Sequence, residues 1–192
     1  MADKKYVYFF GDGKAEGRGD MKDLLGGKGA NLADMTSIGL PVPPGFTITT
    51  EACDFFDKHN GSYPNGMRDE VLQNLKKLEN LMGATLGDKK NPLLVSVRSG
   101  AAQSMPGMMD TVLNLGLTPD SLQALTDKTG NERFAWDSYR RFIQMFGDVV
   151  MGVPHAKFED ALQSVKEANG KAPDTELGTE NLKEVIKKYK IL

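Results

Sequence analysis

The chain changes character near residue 117, and this change limits the folds that are open to it. Residues 1–117 are rich in glycine and proline and alternate strand-like with helix-like stretches, whereas residues 118–192 have the pattern of helices throughout. Strands that are concentrated in one part of a chain are typical of the α+β class. We therefore predict an α+β subdomain over 1–117 and an all-helical subdomain over 118–192. The second is expected to be truncated in its last helix, because no stop signal follows Ile191 and Leu192.

Charge and composition exclude several classes of function. The formal net charge of -2 provides no basic surface of the kind that nucleic-acid binding requires. No apolar run approaches the roughly 20 residues that span a bilayer, and the apolar start at residues 6–10 is too short for a signal-peptide core. A single cysteine, Cys53, rules out an internal disulfide and suits a reducing compartment. We expect a cytoplasmic protein with neither nucleic-acid nor membrane partners.

Hydrophobic spacing predicts the elements of the first part. Helices are predicted over 28–38, 51–59 and 67–82, and the first of these is entered through a pair of glycines. Strands are predicted over 6–10, 46–50, 93–98 and 111–117. Alternation gives each of the last two strands one buried face, formed by Leu93, Val95 and Val97 and by Thr111, Leu113, Leu115 and Leu117.

The second part is predicted to be a set of packed helices. Thr118, Pro119 and Asp120 have the order of an N-cap, a first helical proline and an acidic first turn. Three further helices are predicted over about 132–151, from Pro154 onward, and over about 181–192. Their inward faces are predicted to be Phe134, Phe142, Met145 and Val149; Phe158, Leu162 and Val165; and Leu182, Val185, Ile186 and Tyr189.

Gly26, Gly27, Lys28 and Gly29 form the first group that suits an anion. Glycines ahead of a helix let backbone N–H groups face a negative charge, which the helix dipole also favours, and the lysine adds a full positive charge. A glycine turn with a solvated lysine explains the same residues. The group is not a Walker A loop, because that pattern requires glycine at position 22 and serine or threonine at position 29.

The second group follows the predicted strand 93–98. Arg98 at the strand end can hold two phosphate oxygens with its planar fork. Ser99 and Ser104 offer hydroxyl donors, while Gly100 and Gly107 permit close approach of the backbone to a ligand. The alternative is an arginine that pairs with a neighbouring carboxylate beside a connecting loop. The residues alone leave both interpretations open.

The amino-acid sequences of four segments resemble one known family. The segments are LLGGKGANLADM, GLPVPPGFTITTEAC, PLLVSVRSGAAQSMPGMMDTVLNLGL and RFAWDSYRRFIQMFGDVVM. They are similar to the N-terminal region of the pyruvate, phosphate dikinase family, and the resemblance runs from about residue 6 to the end. Phosphoenolpyruvate synthase shares the glycine–lysine and Val-Pro-Pro-Gly-Phe elements. The run from Gly100 to Thr111 favours the dikinase.

The resemblance implies a fold and a function. It implies the N-terminal, phosphate-binding part of an ATP-grasp domain with an inserted helical subdomain. The family converts ATP, pyruvate and phosphate into AMP, phosphoenolpyruvate and diphosphate through a carrier histidine in a later domain. ATP is the implied ligand. Its phosphates would be bound by Lys28, Arg98, Ser99, Gly100, Ser104 and Gly107, with Arg98 stabilising charge in the transition state.

The resemblance also implies parts that these 192 residues lack. The family's Mg²⁺ ligands and its carrier histidine are expected beyond residue 192, and neither His59 nor His155 stands in the carrier motif. We therefore expect no metal site here and no activity from this chain alone. The expected partners are the remaining domains of an enzyme that is commonly a homodimer. Two alternatives are part of a phosphoenolpyruvate synthase and a non-catalytic nucleotide- or phosphate-binding module.

Overall fold

The structure, a computed structural model, describes residues 4–100, 111–170 and 173–192. Helices predominate over a few short strands, so the fold is α+β, as predicted. The described residues form two compact units. Unit 1 contains residues 4–83 and 99–100, and unit 2 contains residues 84–98, 111–170 and 173–192. The proposed domain boundary near residue 117 stays a prediction.

Unit 1 is a small antiparallel sheet with three helices. Its strands are β1 (Val7–Gly11), β2 (Lys14–Ala15) and β3 (Gly45–Ile48), in the order β2-β1-β3. Its helices are α1 (Lys22–Ser37), α2 (Thr50–Lys58) and α3 (Met67–Met82). In the register of the sheet, Tyr8 lies opposite Thr47 and Phe10 lies opposite Gly45. Helices α1 and α3 both pack against β1 and β3.

The predicted helix over 67–82 is confirmed with the same bounds. Met67 and Leu78 are buried, and Val71 and Leu75 are half-buried, so the apolar residues spaced along one face meet the core. Met82 departs from this pattern, since 49% of it is exposed at the last turn. The Glu70 carboxylate on this helix accepts hydrogen bonds from the backbone N–H groups of Tyr6 and Val7. This contact fixes the start of β1 on α3.

Unit 2 combines two short strand pairs with four helices. The pair β4 (Thr85–Leu86) and β5 (Pro92–Leu93) is parallel, and the pair β6 (Val95–Arg98) and β7 (Thr111–Leu115) is antiparallel. A 3-10 turn (Pro119–Ser121) leads into α4 (Leu122–Thr129) and α5 (Glu132–Met145), which continues as a π-helix (Phe146–Val150). Helix α6 (His155–Ala168), a second 3-10 turn (Asp174–Glu176) and α7 (Thr179–Tyr189) complete the unit.

The inward faces of α6 and α7 are confirmed. The predicted residues are all buried, with exposures of 4% or less: Phe158, Leu162, Val165, Leu182, Val185, Ile186 and Tyr189. The predicted N-cap Thr118 is confirmed as well, because it forms a reciprocal pair of hydrogen bonds with Ser121. It caps the 3-10 turn, however, and α4 begins only at Leu122. Phe158 and Tyr189 meet edge to face with ring centroids 5.0 Å apart. The regular spacing of apolar residues was sufficient to orient both helices.

The predicted buried faces of β6 and β7 were wrong in part. Val97 is 50% exposed and Leu113 is 46% exposed, while Val112 between the predicted inward positions is buried. The register shifts between Val95 and Val97, so β7 carries one residue more than its partner. Asn114, with φ of 59°, takes up that residue. A bulge of this kind moves the following side chains to the opposite face of the strand.

The predicted inward face of α5 was also wrong in part. Phe134 and Val149 are 49% and 39% exposed. Ala135, Ser138, Tyr139 and Arg140 are buried instead, and the π-helix interrupts the spacing on which the prediction rested. Helix α5 packs against α4 and α7. Within the described ranges, no helix is both long enough and apolar enough to cross a membrane.

Candidate functional site

The glycine-rich start of α1 has an irregular backbone. The helix begins at Lys22 rather than at the predicted residue 28, but Gly26 inside it has φ of 68° and ψ of 165°. These angles lie in a region that glycine alone occupies readily. Helix α1 is therefore a first turn, residues 22–25, a break at Gly26, and a second segment that runs from Gly27 to Ser37. The predicted helix start after the glycines corresponds to the start of this second segment.

Gly29 brings the second segment of α1 close to β3. A Cβ atom on Gly29 would lie 2.6 Å from Cγ2 and 2.9 Å from Oγ1 of Thr47. Gly29 is buried, whereas Lys28 beside it is half-buried. The absence of a side chain at Gly29 thus sets the position on the sheet of residues 26–29, which we call the glycine–lysine turn.

Thr50, which the sequence-based interpretation did not include, also contacts this turn. Its hydroxyl donates to the backbone carbonyl oxygen of Asp23 at 2.6 Å and lies 3.3 Å from that of Leu24. Both carbonyls belong to the first turn of α1, directly before Gly26. The contact joins residues that are 27 and 26 positions apart in sequence, and no local pattern predicts it.

Lys28 and Arg98 each present an uncompensated cation within the described part of the chain. No carboxylate in the described ranges forms an ion pair with either side chain. Arg98 is the last residue of β6, lies opposite Thr111, and is exposed. The alternative in which Arg98 pairs with a neighbouring carboxylate finds no such partner among these residues. An unpaired cation is what an anionic ligand requires.

The other predicted phosphate contacts follow Arg98 in sequence. Ser99 and Gly100 are exposed, and a Cβ atom on Gly100 would meet nothing within 4 Å. Ser104 and Gly107 lie outside the described residues, as does Asp110. Lys28 belongs to unit 1 and Arg98 to unit 2, and the structure describes each unit by itself. The joint action of the two cations stays a prediction.

The two histidines have structural contacts. His59 follows the last residue of α2, where its ring stacks on Phe55 at 3.8 Å and its Nδ1 lies 2.8 Å from the Phe55 carbonyl oxygen. His155 begins α6, with Nδ1 2.8 Å from Oδ2 of Asp148 and Nε2 3.5 Å from Oε1 of Glu159. In the described ranges, no three or more His, Cys, Asp or Glu side chains are grouped so as to hold a metal ion.

Arg140 and Arg141 on α5 are ion-paired, which is one of the two roles expected of them from the sequence, but the burial of Arg140 was not predicted. Arg140 is 5% exposed, and its Nε and Nη2 both lie 2.9 Å from Oδ1 of Asp137. Burial acts to lower the pKa of Arg140, but the Asp137 carboxylate and the Tyr189 hydroxyl outweigh it and raise that pKa. Exposed Arg141 shares the same carboxylate at 3.1 Å. The spacing of three residues between Asp137 and Arg140 on one helix was the available signal.

Known proteins resemble this chain over nearly its whole length. The family profile described as "Pyruvate phosphate dikinase, AMP/ATP-binding domain" matches residues 22–79, from the first residue of α1 into α3. "Pyruvate, phosphate dikinase, chloroplastic" of Mesembryanthemum crystallinum is 58% identical over 97% of this chain and 20% of that protein. "Pyruvate, phosphate dikinase 2" of Zea mays is 57% identical over 96% of this chain and 21% of that protein. "Pyruvate, phosphate dikinase" of Rhizobium meliloti is 55% identical over 97% of this chain and 21% of that protein.

The glycine turn with its lysine therefore lies in the segment that matches this AMP/ATP-binding domain profile. Over nearly its whole length, the chain is similar to part of the pyruvate, phosphate dikinases. It spans about a fifth of the length of the curated relatives that it matches.

Proposed function

We propose that this chain supplies the ATP-phosphate-binding part of a pyruvate, phosphate dikinase. The whole enzyme would make phosphoenolpyruvate, AMP and diphosphate from pyruvate, ATP and phosphate. The single observation that carries the proposal is the break at Gly26, two residues before Lys28, whose cation has no carboxylate partner in the described ranges. The first N–H groups of a helical segment have no acceptor within that segment and can bind an anion.

Each predicted residue would contact the ATP phosphates in its own way. Lys28 and the adjacent N–H groups would hold phosphate oxygens of ATP, and Arg98 would hold two oxygens with its guanidinium. Ser99, Gly100, Ser104 and Gly107 would form the loop over the terminal phosphates. Phosphoryl transfer depends on positioning and on neutralising charge, so cations and N–H groups are the parts that it requires. Arg98 would stabilise the charge that develops in the transition state.

The proposal extends to the ATP-grasp architecture and to the rest of the enzyme. Unit 1 would be the phosphate-binding half of the clamp, and the helices after residue 117 would be an insertion. By the family resemblance, the Mg²⁺ ligands of the whole enzyme would lie beyond residue 192. The carrier histidine and the pyruvate-binding domains would lie there too. A homodimeric enzyme in the cytoplasm completes the proposal, and the names of the relatives favour a dikinase over a synthase.

The proposal is tested by a titration of isotopically labelled chain with ATP, followed by amide chemical shifts. Amides of residues 26–29 should shift on addition of ATP and of inorganic tripolyphosphate. The Lys28→Ala variant should bind ATP about tenfold or more weakly, the effect of one charged hydrogen bond. Lys22→Ala is the matched control, because Lys22 is an exposed lysine on the same helix. Equal ATP affinity of both variants and the unaltered chain would refute the role of Lys28.

A further inference from the structure

Thr50 stands at the first position of α2, but its hydroxyl is not used to cap that helix. The preceding residue does so, since the Thr49 hydroxyl accepts a hydrogen bond from the N–H of Ala52. Thr50 instead donates to the carbonyl oxygen of Asp23 at 2.6 Å, with the carbonyl oxygen of Leu24 at 3.3 Å. The shorter of these contacts has the length of a strong O–H···O bond.

The two carbonyls and the N–H groups that would be their helical donors lie on opposite sides of the break at Gly26. In an unbroken α-helix, the N–H of Gly27 would donate to Asp23 and the N–H of Lys28 to Leu24, each four residues back. Gly26 lies between donors and acceptors, and its φ of 68° and ψ of 165° interrupt that pattern. The contact of Thr50 with the Asp23 carbonyl is exposed and that with the Leu24 carbonyl is partly buried. A carbonyl that loses its helical donor takes another one, from the protein or from water.

We infer that Thr50 is a positioning residue for the phosphate-binding turn. Its hydroxyl proton replaces the helical donor at the Asp23 carbonyl and is shared weakly with the Leu24 carbonyl. The N–H groups of Gly27 and Lys28 are thereby released to bind an anion. Thr47, three residues earlier, meets the same segment at Gly29. The short stretch from β3 into α2 thus holds the turn on both sides of Gly26.

This inference rests on the proposed function, and it makes a separate statement about the chain without ligand. The amides of Gly27 and Lys28 should exchange rapidly with solvent in the unliganded chain, whereas those further along α1 should be protected. In Thr50→Val the hydroxyl is lost and the shape is kept. The carbonyls of Asp23 and Leu24 then compete for the two N–H groups, and their exchange should slow. Slow exchange of both amides in the unaltered chain would overturn the inference whatever the ligand does.

The binding test uses inorganic tripolyphosphate and ATP on the same labelled chain. Thr50→Val should bind both about two- to tenfold more weakly, the range expected for one net hydrogen bond. Thr50→Ser keeps the donor and should restore the affinity. Thr36→Val is the control, because the Thr36 hydroxyl bonds to the Leu32 carbonyl at the far end of α1. It should lower the melting temperature and leave the affinity unchanged.

The outcomes separate this inference from the proposed function. If the unaltered chain binds neither probe, the proposed function fails and the inference fails with it. If the unaltered chain binds both and Thr50→Val binds equally well, the inference alone fails. If Thr50→Val does not fold, the inference is tested instead by the affinity of Thr50→Ser and by the amide exchange rates of the unaltered chain. If Thr50→Ser binds both probes more weakly than the unaltered chain although it keeps the hydroxyl, then the hydroxyl is not what determines the affinity.

Discussion

Gly29 on α1 faces Thr47 on β3 so closely that a Cβ atom on the glycine would lie 2.6 Å from Cγ2 of the threonine. Such a distance is shorter than two carbon atoms in contact allow, so either the helix or the strand must move when a side chain is added. Because Lys28 precedes Gly29, the same contact sets where the lysine stands. Packing and the candidate site are therefore linked at one residue.

Replacement of Gly29 should test this link. Gly29→Ala should lower the free energy of unfolding by about 1–3 kcal/mol, the usual cost of overpacking. Thr47→Ala removes both atoms that the new Cβ would meet. The double variant should therefore lose less stability than the two single variants together. Chemical denaturation of all four chains gives the coupling energy, and strictly additive losses would contradict the contact.

Removal of the Glu70 carboxylate should loosen the start of β1. Glu70 accepts from the N–H groups of Tyr6 at 2.9 Å and Val7 at 2.8 Å. Glu70→Ala leaves both donors without a protein acceptor, and we expect a loss of about 1–3 kcal/mol in the free energy of unfolding. Asp69→Ala on the same turn is the control, with an expected effect of a few tenths of a kcal/mol, about the size of a helix-dipole term. Amide exchange of Val7 should quicken in the first variant alone.

Glu16 should make the stability of unit 1 depend on pH. Partial burial acts to raise the pKa of Glu16, but the hydrogen bond from the Phe9 N–H and the charges of Lys5 and Lys77 outweigh it and lower that pKa below 4.5. The unfolded chain then binds the proton more readily than the folded one. The stabilisation is present above about pH 4.5 and is lost as the pH falls through the lowered pKa.

The measurement for Glu16 compares the unaltered chain with Glu16→Gln. Glutamine keeps an acceptor for the Phe9 N–H and loses the charge. The difference in unfolding free energy should be largest near neutral pH and should shrink as the pH falls through the lowered pKa of Glu16. The control is Asp57→Asn, which removes an exposed carboxylate that has no ion pair in the described ranges. A constant difference for Glu16→Gln at all pH values would contradict the account.

The Asp137 carboxylate should stabilise unit 2 through its contact with buried Arg140 rather than through its contact with exposed Arg141. Asp137→Ala leaves the buried Arg140 guanidinium without its charge partner, and a stranded buried charge costs about 3–5 kcal/mol. Arg141→Ala removes an exposed partner, for which we expect about 0–1 kcal/mol. Trp136, the single tryptophan, stands beside Asp137 on α5, so its fluorescence reports unfolding of unit 2. Equal losses in both variants would contradict the assignment.

Spacing along the chain was enough to predict the elements whose faces are regular. Helices α3, α6 and α7 lie close to where the apolar spacing placed them, because a repeat near 3.6 residues specifies one face without tertiary information. The group of residues around Gly26 was also visible, since glycines before a lysine are a local pattern. That the helix begins earlier, at Lys22, depends on the dihedral angles of Gly26, which the residue type permits but does not dictate.

The remaining features depend on contacts between distant residues. Asn114 carries the bulge that turns Leu113 outward, and an ordinary alternating pattern contains no sign of it. Arg140 is buried because a carboxylate one turn away neutralises it, whereas composition alone favours exposure. Thr50 reaches back 27 residues to the Asp23 carbonyl, which the fold rather than the local sequence brings within reach. Sequence alone could therefore locate the candidate site but not what holds it in place.

The central claim is that this chain contributes cations for binding and transfer of ATP phosphate, and Arg98 tests it most directly. The measurement is the ATP partial reaction, phosphorylation of the enzyme by ATP and phosphate, in a full-length dikinase that carries this sequence. Arg98→Ala should cost about 2–5 kcal/mol of transition-state stabilisation, as when one partner of a buried charge pair is removed. Lys22→Ala should leave the rate unchanged. A near-normal rate for Arg98→Ala in a folded enzyme would contradict the account.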